Sequence, residues 1–258
     1  MKVRSYMNAE SATDFPEVLT AEMLSGFQTT PRGCTRPRVG MIDGRKYIAK
    51  CGGWSQHSSD GHVRNELVAD ALLRAAGLSV PQSREYAVDF GDGKGARTIR
   101  LAAFAETAKP LMEVWARAGV RLKNSICEQA ISAYPIQALI AGIDTFTYDN
   151  VLVDGNGTLL FVDNGASFDY RACGKPKGWF WERRDPDDPV TGYLSLARHP
   201  DQYVLKEILF GIKASRLWGA IRRYDLVGLV ASLPSGYRKP EFVEYAKMLM
   251  ERIGKEDD

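Results

Sequence analysis

Five polar residues stand where their neighbours lead one to expect apolar or turn residues. Lys50 ends the apolar segment "KYIAK", and Glu66 follows sixteen positions later in a helix-like stretch. Asp144, Asn150 and Asp163 surround the short run "GIDTFTYDNVLVDGNGTLLFVDNGASF", Gly142 to Phe168. Each type suits one part of phosphate chemistry. A lysine neutralises phosphate oxygens, and a glutamate beside it orients the ammonium. Asn and Asp supply the hard oxygen ligands that Mg²⁺ prefers, and a further Asp can accept the proton of an attacking hydroxyl.

The elements around these residues must bring them together. "NVLV" and "TLLFV" read as buried strands, and "DGNG", Asp154 to Gly157, is a strong hairpin turn between them. A hairpin joins its outer ends, so Asn150 and Asp163 are expected side by side, with Asp144 close. Upstream, "RVGMIDGRKYIAKCGG" reads as two strands about Asp43 and Gly44. "HVRNELVADALLRAAG" has helical periodicity, with Val63, Leu67, Ala71 and Leu72 on one face and Gly77 as its stop. "LSVPQSREYAVDF" and "ARTIRLAAFAE" are strands, giving the order strand, strand, helix, strand, strand. Beyond "ETAKP" the chain turns helical, through "PLMEVWARAGV", "NSICEQAISAYPIQALIAGI", "YVLKEILFGIKASRLWGAIRRYD" and "PEFVEYAKMLMERIG". The expected division is a β-rich part over 1–105 and a mostly helical part over 106–258, packed as two lobes of an α+β fold.

Composition narrows the classes. The 258 residues carry 45% hydrophobic and 26% charged residues, as soluble globular proteins do. A net charge of +2 gives no electrostatic case for nucleic acid as the main partner. The apolar runs are too short to span a membrane, and the opening residues do not read as a signal peptide. Cys34, Cys51, Cys127 and Cys173 are scattered without a CxxC spacing, so reduced cytoplasmic thiols are expected in place of a zinc cage.

The order Lys50, Glu66, Asp144, Asn150, Asp163, with "D-x5-N … V-D-N-G" in the second part, resembles the protein-kinase-like superfamily. The "YIAK" strand, the "E…LLRAAGLSVP" helix and "DNG" are most similar to HipA-type serine/threonine kinases and to the phosphatidylinositol 3-/4-kinases. The resemblance covers roughly Val39 to Phe168. It implies a two-lobed kinase-like fold, ATP and Mg²⁺ as cofactors, and a Ser/Thr hydroxyl of a protein as acceptor. Lys50 and Glu66 then serve the phosphates, Asn150 and Asp163 the metal, and Asp144 the proton. The adenine is expected against Leu101, Ala103 and Ala105, between the lobes. The chain departs from the pattern after Asp144, where "TFTYDN" stands in place of a nearby basic or histidine residue. The interval to Asn150 is one residue longer than usual, and the glycine-rich loop reduces to Gly33 and Gly40. Arg32, Arg36 and Arg38 are then candidates for the phosphate contacts.

Plainer readings exist for each residue. Lys50 can be a solvated strand-edge lysine and Glu66 a surface helix charge, with His62 or Glu85 as rivals. Asn150 and Asp163 can be turn residues. Asp144 can cap a helix, with Asp149 the alternative base. For the whole chain the other readings are a nucleotide-binding pseudokinase scaffold, a lipid or small-molecule kinase, and an AMP transferase on the same fold. "GWFWERR", Trp179 to Arg184, reads either as substrate docking or as aromatics plugged into the helical lobe.

Overall fold

The computed structural model describes residues 15–31, 33–140, 142, 150–168, 170, 208 and 214–255. The fold is mixed α+β. Its described residues cluster into two compact units, one within Met1–Arg64 and Gln82–Phe104, the other within Asn65–Pro81 and Ala105–Asp258.

The first unit is built on an antiparallel sheet. Its strands are β1 (Gln28–Thr29), β2 (Arg38–Ile42), β3 (Arg45–Cys51), β4 (Ser83–Asp89) and β5 (Ala96–Ala103), ordered β1-β2-β3-β5-β4. The expected turn joins β2 to β3, with Asp43 and Gly44 both at positive φ (50° and 77°). That backbone matches the twist of a two-residue hairpin. Helix α1 (Ala21–Ser25) starts at Thr20, whose Oγ1 accepts from Met23 N at 3.3 Å. Strand alternation decides what is core. Tyr47, Ala49 and Cys51 of β3, Ile99 and Leu101 of β5, and Tyr86 and Val88 of β4 pack with Leu24 and Phe27. Gly40, one of the two glycines of the degenerate glycine loop, lies inside β2 with the Phe27 ring where a Cβ would be. It is a packing glycine.

Helix α2 (Asp60–Ala75) follows β3. It ends as expected at Gly77, whose φ of +78° lets Leu78 N reach back to Leu73 O at 2.9 Å. Its buried face differs from the periodicity reading. Ala71 is exposed and Leu67 half-buried, while Asn65, Glu66, Ala69, Asp70, Leu72 and Leu73 are buried. The buried stripe carries polar groups that a hydropathy pattern assigns to solvent.

The second unit contains β6 (Lys109–Pro110), β7 (Val151–Val153) and β8 (Leu159–Phe161), paired antiparallel in that order. Its helices are α3 (Leu111–Arg117), α4 (Val120–Leu139), α5 (Ala214–Ile221), α6 (Leu226–Ala231) and α7 (Pro240–Lys255), with α4 packed on α5 and α6 on α7. One core gathers Leu72 and Leu73 with Tyr134, Leu139, Phe161, Phe168 and Phe242. The expected boundary near residue 105 falls where the first unit ends at Phe104, but Asn65–Pro81 groups with the second unit. The reason is visible in that core and in the side-chain bonds of α2 described below. Among the described residues, no helix is long and apolar enough to cross a membrane. Cys34 is disulfide-bonded, against the expectation of reduced thiols, while Cys51 and Cys127 are free.

Candidate active site

Lys50 sits near the end of β3, on the sheet face opposite the apolar core. Backbone register places it directly across from Arg100 of β5, which in turn faces Glu85 of β4. Directly opposed residues share a face, so the three side chains form a row. Lys50 and Arg100 are buried, at 4% and 3% exposure. Two cations in register on a buried face require anionic compensation. Glu85, at the exposed end of the row, bonds Arg64 at 3.2 Å. Arg100 was not anticipated from the sequence, although its two-residue offset from Ala102 on β5 is legible once the strand pairing is known.

Glu66 is fully buried on α2. Asn65 and Asp70 on the same helix are fully buried too, and both bond the segment that follows β8. Asn65 Nδ2 donates to Gly165 O at 3.0 Å and to Ser167 O at 2.8 Å. Asn164 Nδ2 donates to Asp70 Oδ1 at 2.9 Å.

The hairpin joins its ends as expected. Val162 N donates to Asn150 O at 2.9 Å, which brings Asn150 beside the residue preceding Asp163. The turn is closed by Asp154, whose Oδ1 accepts from Asn156 N and Thr158 N, both at 2.8 Å. Gln129 of α4 adds a bond on each side: its Nε2 donates to Gly157 O at 2.9 Å and its Oε1 accepts from Leu159 N at 2.8 Å. Asp163 is exposed and in the left-handed region (φ 55°, ψ 49°), at the entry to the short 3₁₀ turn Asn164–Ala166. Asn150 is half-buried. An amide oxygen and a carboxylate at the joined ends of a hairpin are a donor set that fits Mg²⁺, which keeps several waters and needs only one or two protein ligands. No cluster of three or more His, Cys, Asp and Glu side chains occurs among the described residues. Asp144 and its rival Asp149 lie outside the described residues, as do Arg32 and Trp179 to Arg184.

The three residues expected against the adenine separate. Leu101 is fully buried in the first unit's core, and Ala103 follows it on the same side of β5. The N–H groups of Ala103 and Phe104 bond Gln82 O and Lys46 O, at 2.9 and 3.1 Å. Ala105 lies past the strand end and is half-buried. Ala102, not Leu101, shares the Lys50 face. Arg38, a candidate for phosphate, stacks over Trp54 with its guanidinium carbon 4.2 Å from the ring centre. Burial pushes the Cys51 thiol, next to Lys50 in sequence but on the core face, up to about 12.

No protein-family model and no curated protein matches the sequence. In structure the chain is similar to WaaP in complex with acyl carrier protein, at 16% identity over 79% of this chain and 90% of that one, with a TM-score of 0.41. It is also similar to the Helicobacter pylori proinflammatory kinase CtkA, at 11% identity over 91% and 94%, with a TM-score of 0.42. A third similar structure is the Cydia pomonella granulovirus kinase PK-1, at 15% identity over 91% of each chain, with a TM-score of 0.44.

Proposed function

We propose that this chain is a kinase-type phosphotransferase that moves the γ-phosphoryl group of ATP, with Mg²⁺, to a hydroxyl, a protein Ser/Thr being the acceptor that the HipA resemblance favours. The observation that carries this reading is the Val162–Asn150 bond. It sets an amide oxygen and an exposed carboxylate at one end of a hairpin whose turn, strands and flanks are all fixed by hydrogen bonds. A left-handed, exposed Asp163 is within ordinary turn chemistry; the buried polar side chains of Asn164 and Ser167 that follow it go beyond that.

In this reading Asn150 and Asp163 hold the metal, which bridges and neutralises phosphate oxygens when bound. Lys50 supplies a fixed positive charge, and its burial strengthens its pull on an anion. Glu66, buried on α2, is the acidic partner that the kinase resemblance assigns to such a lysine. Arg100 adds a second cation to the same sheet face. Asp144 accepts the hydroxyl proton. The base of the nucleotide lies against Ala105, since Leu101 is committed to the core. Little covalent work falls to the protein, and the gain comes from positioning and charge neutralisation.

Two measurements test this. Intact mass after incubation with Mg²⁺ and ATP is expected to rise by one phosphate if the chain phosphorylates itself; a gain of one nucleotide would instead establish AMP transfer. Thermal melting with ADP and Mg²⁺ is expected to shift upward by mass action. No mass change together with no shift at millimolar nucleotide removes the kinase reading.

A further inference from the structure

The bonds from α2 to the segment after β8 are made by side chains that phosphate chemistry itself does not require. Asn65, Asp70 and Asn164 are at most 1% exposed. The amide of Asn65 has an unambiguous orientation: its Nδ2 lies between two carbonyl oxygens, those of Gly165 and Ser167, and the opposite orientation would set oxygen against oxygen. Its Oδ1 has no hydrogen-bond partner among the described residues, so Asn65 acts here purely as a double donor. It clamps two carbonyls of one turn. Five residues further along α2, Asp70 Oδ1 receives Asn164 Nδ2, which also reaches Phe161 O at 3.4 Å. Glu66 stands between these two clamps on the helix, and Asp163 stands immediately before the clamped segment. The far end of the segment is pinned as well. Phe168 is left-handed (φ 50°), donates its N–H to Ile140 O at 2.6 Å, and packs edge-on against Tyr237 and Phe242.

We propose that Asn65 and Asp70 are positioning residues for the metal-binding carboxylate: they tie the helix that carries Glu66 to the turn that fixes Asp163, so the two acidic groups keep a single mutual geometry. This deepens the kinase reading and rests on Asp163 as a metal ligand. A helix that swung freely would carry Glu66 away while leaving Asp163 in place. Here, any displacement of α2 that breaks the clamps also releases the left-handed backbone at Asp163. Outer-sphere partners of this kind typically change metal affinity or activity by about 10–100-fold when removed.

The test uses the full chain and ADP, titrated with Mg²⁺ and with a chelator. Asn164→Asp sets a second carboxylate against Asp70. It is expected to weaken Mg²⁺-dependent ADP binding by about 10–100-fold, to leave metal-free binding unchanged, and to speed amide exchange over 163–168. Asp70→Asn alone keeps an acceptor oxygen for Asn164 but loses the buried charge, and is expected to weaken Mg²⁺-dependent ADP binding less than Asn164→Asp does. The double variant Asp70→Asn/Asn164→Asp reverses donor and acceptor and is expected to recover most of the affinity, lacking the long bond to Phe161. Asn65→Ser, too short to reach both carbonyls, provides the same comparison if Asn164→Asp does not fold. Parent-like Mg²⁺ dependence in a folded Asn164→Asp or Asn65→Ser, or no recovery in the folded double variant, overturns the proposal. A parent chain that binds ADP no better with Mg²⁺ than without overturns the metal reading beneath it, and does so before any substitution is made.

Discussion

Lys50 and Asp163 are held in place by different means. Lys50 sits inside a ladder: β3 pairs with β2 on one side and β5 on the other, and each residue from Tyr47 to Cys51 has a partner on β5. Backbone bonds fix its position, and these do not depend on which side chains its neighbours carry. Asp163 follows a three-residue strand, and its surroundings are fixed by the side chains of Asn65, Asp70, Asn164 and, through the hairpin, Gln129. A ladder tolerates substitution. A site held by carboxamides and carboxylates depends on a few residues whose replacement leaves buried polar groups unpaired. The proposed phosphate-binding region in the first unit is therefore mechanically robust, and the proposed metal-binding region in the second is specified residue by residue.

The largest effect is expected at the carboxylates themselves. Asp163→Asn should abolish phosphate incorporation and remove the Mg²⁺ dependence of ADP binding. Asp144→Asn should leave ADP binding intact and lower turnover by about 10²–10⁴-fold, as for a lost general base. Paired measurements of incorporation and ADP affinity separate the two. Normal turnover in Asp144→Asn with loss in Asp149→Asn would reassign the base to Asp149. Gln129→Leu comes next. It leaves Leu159 N and Gly157 O without their partner and should cost about 1–3 kcal/mol in a urea titration, with the Mg²⁺-dependent part of ADP binding weakened more than the metal-free part. Equal weakening of both would erase the distinction between the two halves.

A pH effect is expected in the first unit. The Cys51 thiol is raised from 9.0 to about 12 by burial. Between those values the folded chain keeps a proton that the unfolded chain releases, so stability falls as pH rises above 9 and is unaffected below it. The slope attributable to this group is up to about 1.4 kcal/mol per pH unit. Cys51→Ala should flatten that limb of a stability–pH curve; an unchanged slope would show that the thiol does not contribute. The smallest effect is expected from Ile48→Val, two residues from Lys50 on the same strand face. It should cost about 0.5–1 kcal/mol and leave ADP affinity unchanged. A clear loss of affinity would show that the sheet is not the tolerant frame described above.

What could be read from the sequence follows the same division. The hairpin, the Asp43–Gly44 turn and the Gly77 stop were legible because local backbone chemistry dictates them. The order of strands and helix was legible from periodicity. The buried face of α2 was not, since Asn65, Glu66 and Asp70 are polar, and Asn65 and Asp70 have their partners about a hundred positions away. Gln129 was equally invisible: nothing in "CEQAIS" marks a side chain that serves as an extra strand partner. The core-facing side of Leu101 was not legible for a simpler reason: an apolar strand end offers alternate residues to opposite faces, and only pairing with Lys50's strand shows which ones face it.

The sequence separation of these bonds also bears on the order of assembly. Gln129 meets Gly157 and Leu159 across 28 and 30 positions, whereas Asn65 meets Ser167 across 102. Closing the longer loop costs about 1 kcal/mol more in chain entropy, and it brings no reward until both the helix and the turn exist. The α4–hairpin assembly can thus form as a nearly contiguous nucleus, with Asn150 and Asp163 already adjacent. With the clamp from α2 expected to be added afterwards, a chain caught partway through folding would present Asn150 and Asp163, the proposed metal ligands, without the bonds that fix the turn between them and α2.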